Sequence, residues 1–218
     1  TFSDLYYLRV GNTNLRPEKA TEYTLGVTWS GTPFDFTDFV SLTVDGYYNK
    51  VEDKIIAFPS TYVWKMQNYG EVNITGIDAT LATAIPFAEK ISMNLSGNYS
   101  WQKAIDVTNP EAKNYKHQLP YTPEHNGNVS ATFEMAWVNV GYTVTMVGKR
   151  YYLAQNIPAN EIEGYNEHTA TLWREFKFKK CGLRLQAEVI NLTDAQYDVI
   201  KYYPMPGRSW RFTGTFNF

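Results

Sequence analysis

"RSWRFTGTFNF", residues 208–218, alternates up to the last residue of the chain. Trp210, Phe212, Phe216 and Phe218 share one parity, and Arg211, Thr213, Thr215 and Asn217 share the other. Successive side chains of a β-strand point to opposite faces, so the stretch reads as a strand with one apolar and one polar face. Two environments suit that pattern. In a soluble sandwich the apolar face meets a shared core. In a membrane barrel it meets lipid, and the polar face lines a wet interior.

The same period runs through the whole chain, in about nine strand-like runs. They are Glu22–Ser30, Val40–Phe58, Met66–Ile85, Ile91–Ala104, Asn126–Met135, Trp137–Tyr151, Glu167–Phe178, Gly182–Leu192 and the final stretch. No window holds a helical i, i+3, i+4 stripe as well as these hold period two, so no helix is expected. Ile91, Met93, Leu95, Tyr99 and Trp101 oppose Ser92, Asn94, Ser96, Asn98 and Ser100. Arg184, Glu188, Glu134 and Asp45 all fall on the polar parity. Two strands are less regular. Arg174 shares a parity with Leu172 and Phe176, and in "VNITGID" the apolar phase slips at Gly76, where a bulge is expected.

Composition narrows the choice. The 218 residues carry a net charge of −2, so no basic excess points to nucleic acid. Mean hydropathy is −0.40, and no run approaches the roughly 20 apolar residues of a transmembrane helix. A membrane barrel stays open, because its strands look polar on average. Cys181 is the only cysteine, which leaves no intrachain disulfide and no cysteine zinc site. The chain starts at Thr1 without signal-like regions, as expected of a mature form, a truncation or a piece of something larger. Aromatics are 16% of residues, with 17 Tyr and 6 Trp, which suits both strands and membrane interfaces.

The connections decide between the two environments. Gly31–Asp35, Pro86–Lys90, the step from Met135 to Trp137, and Lys179–Gly182 are short. Phe58–Trp64, Ile105–Glu124, Leu153–Gly164 and Thr193–Gly207 are longer, and the two kinds alternate strictly. With antiparallel strands, all short links then lie at one end and all long links at the other, as in outer-membrane barrels. Trp29, Phe36, Phe87, Phe133, Trp137, Phe176, Phe178, Phe216 and Phe218 flank the short links, while Tyr23, Tyr48, Trp101 and Trp210 lie toward the long ones. Two aromatic rings around an aliphatic band make a membrane girdle. The fold expected is all-β: one antiparallel transmembrane barrel segment.

The residues offer binding chemistry and little catalysis. His117, His125 and His168 have no carboxylate at metal-ligand spacing and read as solvated, so no metal site is expected. No triad arrangement and no phosphate-cradling glycine loop stand out, so no enzyme activity and no cofactor are expected. The N-x-S/T triplets at Asn73, Asn94, Asn98, Asn128 and Asn191 follow from polar residues facing a wet interior. The long loops carry Tyr62, Trp64, Tyr115, His117, Tyr121, Tyr151, Tyr152, Tyr202 and Tyr203. Such rings offer rigid, amphipathic contact area that suits aromatic or macrocyclic ligands, and ordinary loop packing would use them equally well.

Two stretches go beyond pattern. Phe2–Val27 resembles the segment of TonB-dependent outer-membrane receptors that reads G-N-x-x-L-x-P-E before a long strand, here Gly11, Asn12, Leu15, Pro17 and Glu18. The family often has Pro after the Asn, where this chain has Thr13. Asn191–Phe218 is similar to the family's tail, with N-L-x-D at Asn191 and Asp194, then Pro206, Gly207 and Arg208, and a terminal aromatic. The resemblance covers the whole chain and implies several things. Residues 1–218 would be the C-terminal part of a 22-stranded barrel, with the plug domain outside this chain. Trp210, Phe212, Phe216 and Phe218 would form the signal read by the barrel-assembly machinery. The location would be the outer membrane of a Gram-negative bacterium. The partners would be the lipid bilayer, the plug and remaining barrel of the same receptor, and the TonB complex reached through the missing N-terminal part. The cargo would be a scarce nutrient such as a ferric siderophore or cobalamin. Haem receptors of the family often carry a His in this opening region, and none occurs between Phe2 and Leu15, which points away from haem. From the residues alone, a small stand-alone barrel or adhesin and a soluble glycan-binding sandwich both stay open.

Overall fold

The computed structural model describes residues 2–8, 10–59, 64–179 and 181–218, with the side chains of 58, 59 and 64 excepted. Nine long strands form one sheet in strict sequence order, each antiparallel to the next. They are β1 (Lys19–Gly31), β2 (Phe39–Glu52), β3 (Val72–Ala88), β4 (Ile91–Asp106), β5 (His125–Met135), β6 (Asn139–Val147), β7 (Tyr165–Lys177), β8 (Gly182–Ile190) and β9 (Ser209–Asn217). No second sheet packs on this one among the described residues. The only others are three two-stranded hairpins inside the long loops: Ile55–Pro59 with Trp64–Asn68, Arg150–Tyr151 with Glu161–Ile162, and Asp198–Ile200 with Tyr203–Pro204.

The register sorts the side chains into two faces. Paired residues share a face, so Ser30–Ser41–Ala82–Ser96–Ser130–Thr143–Thr169 runs as one row across seven strands. That face is polar and cross-linked. Thr28 bonds Thr43, Ser30 bonds Ser41 and Ser130 bonds Thr143, each at 3.0 Å. Asn98 bonds Asn128 at 3.3 Å, and Arg211 pairs with Glu188. The opposite face carries Leu25, Val27, Leu42, Val44, Leu81, Phe133, Leu172, Leu185 and Phe212, all exposed, up to 78% for Leu25 and 77% for Phe212. A soluble monomer rarely exposes a contiguous apolar face of this extent. The expected aromatics lie on it: Tyr23 opposes Tyr48, and Phe87 stacks on Phe133 at 6.4 Å.

Where the sheet does bury apolar groups, it does so on the polar face, at the long-loop end. Val51, Val72 and Ala104 pack there with Leu119 from the loop between β4 and β5. This explains the irregularity expected to be a bulge at Gly76. The register runs unbroken through Gly76 on both sides, and the shift that does occur lies at Pro86–Ala88. Val72 and Ile74 are apolar residues on the polar face, where a loop covers them. Gly76 is small for another reason: a Cβ there would lie 2.3 Å from the Tyr47 ring. Two further departures concern short elements. The expectation of no helix misses a single turn at Phe2–Tyr6. The runs expected at Val40–Phe58 and Met66–Ile85 each break, at Glu52–Ile55 and Asn68–Val72, because their ends fold into the first hairpin.

Candidate functional site

All four long connections lie at one end of the sheet and all four short ones at the other, as the alternation predicts. The long-loop end is built in layers. β4 extends beyond the start of β5, and the chain that returns along it takes over its free edge. Gln102 donates to Glu124 O at 2.8 Å, Asp106 to His117 O at 3.0 Å, and Leu119 to Ala104 O at 2.8 Å. The Gln118 side chain fills the last gap: its Oε1 accepts from Ala104 N at 2.9 Å, and its Nε2 donates to Gln102 O and Thr122 O. Buried backbone groups must be paired, and here one amide satisfies three of them.

His117 and Asn156 join this loop to the next. Asn156 N donates to His117 Nδ1 at 3.1 Å, and the Asn156 side chain accepts from Gln118 N through Oδ1 and donates to Gln118 O through Nδ2. His117 is therefore a joint between loops. Tyr115 lies half-buried nearby under the Lys116 ammonium, 5.4 Å from its ring.

Tyr121, Tyr151, Tyr152 and Tyr202 come together. Tyr121 N donates to Tyr151 O at 2.7 Å, and burial raises the Tyr121 phenol above its ordinary pKa. Tyr152 and Tyr202 meet edge to face at 6.5 Å, and Lys201 Nζ lies 5.9 Å and 5.6 Å from their rings. Tyr202 is 76% exposed and Tyr203 is exposed beside it in the same hairpin. Tyr62 lies outside the described residues. Trp64 begins the second strand of the first hairpin, but its side chain also lies outside them.

Arg150 stands beneath this group and was not among the candidates read from sequence. It is 4% exposed. Its Nη2 donates to the carbonyls of Asp198 and Val199, at 2.9 Å for the latter, and its guanidinium sits 5.7 Å from the Tyr165 ring. Its Nη1 has no partner among the described residues. Burial lowers its pKa from the usual arginine value. Tyr165 stacks on Tyr197 at 3.9 Å, and Tyr197 donates to Glu167, so burial and then the carboxylate push the Tyr197 phenol far up. A cleft of about 390 Å³ opens between the second and third hairpins, lined by Glu161, Gly164, Gln196, Tyr197, Asp198 and Lys201. Lys149 pairs with Glu161 at 3.1 Å on its rim.

The two motif segments hold this end together. Gly11 and Asn12 follow the helical turn, and Asn12 Nδ2 donates to Met66 O at 3.0 Å. Arg16 N donates to Asn68 Oδ1 at 2.8 Å, and Arg16 pairs with Asp53. Glu18 accepts from Ile55 N and lies 3.3 Å from Lys54 Nζ. Within this segment Leu15 N donates to Asn12 O at 3.4 Å, and Pro17 lies between Arg16 and Glu18. At the other end of the chain, Asn191 Nδ2 donates to Ala195 O and Pro206 O while its Oδ1 accepts from Ala195 N. Asp194 Oδ1 accepts from Arg208 N at 2.8 Å, and a Cβ on Gly207 would lie 2.6 Å from that oxygen. Both motifs therefore act by clamping loops, and the exposed Arg208 is anchored there through its backbone N–H. Among the described residues, no group of three or more His, Cys, Asp or Glu is placed to share a metal ion.

Comparison with known proteins follows the same lines. The family model for the TonB dependent receptor-like beta-barrel matches residues 1–192, so it contains the first motif and stops just inside the second. The vitamin B12 transporter BtuB of Vibrio vulnificus is 24% identical over 225 residues, covering 100% of this chain and 33% of the relative. The ferric citrate transporter FecA superposes with a TM-score of 0.71 at 16% identity, covering 94% of this chain and 32% of that one. BauA, the ferric preacinetobactin receptor of Acinetobacter baumannii, gives 0.69 at 15% identity, covering 93% and 30%. The chain thus spans about one third of the length of these relatives, whose names describe transporters and a receptor. It belongs to the TonB-dependent receptor family, and the strands it carries are those of the family's β-barrel.

Proposed function

We propose that residues 1–218 are the C-terminal barrel portion of an outer-membrane receptor that takes up a scarce nutrient, a ferric siderophore or a cobalamin-like ligand. The plug and the remaining strands would lie elsewhere in the same protein, and the TonB complex would supply energy through that other part. The observation that carries this reading is the arrangement of the sheet: a cross-linked polar face, a bare apolar face, and a loop cluster rich in tyrosine at one end only. The apolar face suits lipid, and the polar face suits a filled, wet lumen. Tyr121, Tyr151, Tyr152, Tyr202 and Tyr203, with Lys201, are the proposed ligand-facing group. Tyr115 belongs to the same mouth, with His117 as a support. Trp210, Phe212, Phe216 and Phe218 all lie on the apolar parity of the last strand, which suits a role in recognition by the barrel-assembly machinery.

An immunoblot of fractionated native cells, with antibody to this segment, tests the proposal. A band about two to three times heavier than this chain, in the outer-membrane fraction, is expected. A soluble band, or a membrane band at the mass of this chain, contradicts it. Growth of a knockout on single iron or corrinoid sources would then separate the two cargo classes.

A further inference from the structure

Arg174 breaks the logic of the apolar face. Its register places it opposite Leu185 in the row that continues to Gly214, on the same face as Leu172 and Phe176. Among the described residues it is the one charged side chain on that face in the half of the sheet nearer the short turns. It is exposed, and among the described residues no carboxylate pairs with it. Its guanidinium lies 5.0 Å from the Phe176 ring, so the side chain runs along the strand toward the turn at residues 178–181. Three residues separate Arg174 from the end of β7, which in a tilted strand is roughly 7 Å of depth. A lipid-facing cation at that depth can reach the headgroup level along its apolar stem. Lys179 adds a second exposed cation in the turn itself.

A groove of about 440 Å³ adjoins this arginine on the same face. Leu172, Leu185, Ala187 and Phe212 line it, and Gly214 forms a notch, since the nearest atom to a Cβ there would be a Leu185 methyl at 3.9 Å. An apolar trough ending at an unpaired guanidinium has the two-part chemistry of a lipid site: room for an acyl chain, and a planar donor fork for a phosphate.

Resting on the proposed membrane location, we infer that this groove binds one anionic phospholipid of the leaflet at the short-turn end. Arg174 holds its phosphate, and an acyl chain lies over Gly214. Bidentate charge-assisted bonding gives an arginine a role at a position where the rest of the face is apolar.

The test uses the full-length protein purified in nonionic detergent and titrated with dioleoyl phosphatidylglycerol, with bound lipid counted by native mass spectrometry. R174Q is expected to bind the first lipid about tenfold more weakly than the parent, through loss of one charge-assisted contact. R174K is expected to fall between them. G214L, which fills the notch and keeps the charge, is expected to weaken the same binding step. R184Q, on the polar face of β8, is expected to leave it unchanged. Heat-modifiable migration on a gel checks that each variant is a folded barrel. A folded R174Q protein that binds the lipid as the parent does overturns the site and leaves the membrane reading intact. A full-length protein that stays monodisperse without detergent overturns both.

Discussion

The two motif segments do the same job by different means. The Asn191 clasp is internal: the residue is 1% exposed, sits at φ 53°, and its side chain makes three part-buried hydrogen bonds to backbone. The latch from Gly11 to Glu18 lies on the outside of the first hairpin and works through half-exposed amides and solvated ion pairs. Both fix where a long loop leaves the sheet. The difference is in what water can replace. A group that loses its partner in the open is rehydrated, whereas a buried one keeps the full cost. The contrast predicts a ranking of mutational effects at the loop end.

Asn191→Ala is expected to have the largest effect. It leaves the 195 amide and two carbonyls unsatisfied and puts a Cβ residue without a compensating side chain at positive φ, for a cost of about 3 kcal/mol. Urea unfolding of the full-length protein should show it, with early protease cleavage between 191 and 208. If Asn191→Ala costs no more than the outer latch, the buried-versus-exposed distinction is wrong. Arg150→Leu comes next, at about 2 kcal/mol, because the Asp198 and Val199 carbonyls lose a charged donor. Its effect should appear as faster hydrogen exchange across residues 198–204, with little change in the sheet.

Asn12→Ala removes one half-exposed bond to Met66 O and is expected to cost about 1 kcal/mol. High pH probes the same region through Tyr69. Burial pushes its phenol up to about 12, and its oxygen accepts from Asn114 at 3.1 Å. Because the folded value is raised, the neutral form is the one the fold favours. The stabilisation is complete below the ordinary tyrosine pKa of about 10 and is lost as pH rises through about 12. A tyrosinate absorbance titration should show a component near pH 12 that is lost in Tyr69→Phe, while the later ionisation of Tyr197 remains. Smallest of all should be Asp53→Asn. The Arg16 guanidinium holds the Asp53 carboxyl below its usual range, so the pair is intact above that range and lost as pH falls through the lowered value. Both partners are solvated, so at neutral pH and moderate salt the variant should match the parent within the noise of the unfolding assay.

The sequence carried the sheet well, because period two is a local signal and each strand displays it on its own. The sorting of long and short links was equally legible, and it ordered the strands and the two ends. Val72 and Ile74 misled for a physical reason. They sit on the polar face packed with Leu119, far along the chain, and only tertiary packing reveals that. The first hairpin was hidden because its strands continue the runs of β2 and β3 without a change in composition. The loop tyrosines were visible as a class, but their grouping was not: Tyr121, Tyr152 and Tyr202 come from three different loops. Arg150 gave no signal at all. Its partners are backbone carbonyls in another loop, and carbonyls leave no trace in a sequence.

On the proposed outer-membrane placement, the long loops face the outside of the cell and the short turns face the periplasm. The native Cys181 sits in a short turn and Tyr202 at the tip of a long loop, so the two sites report on opposite ends. The direct measurement is labelling of the full-length protein, other cysteines removed, with a polyethylene-glycol maleimide too large to pass porins. Y202C, in a C181S background, is expected to label in intact cells. Cys181 in the parent should label only after the outer membrane is permeabilised. Labelling of Cys181 in intact cells, with Y202C protected, would contradict the orientation and with it the placement of the binding loops.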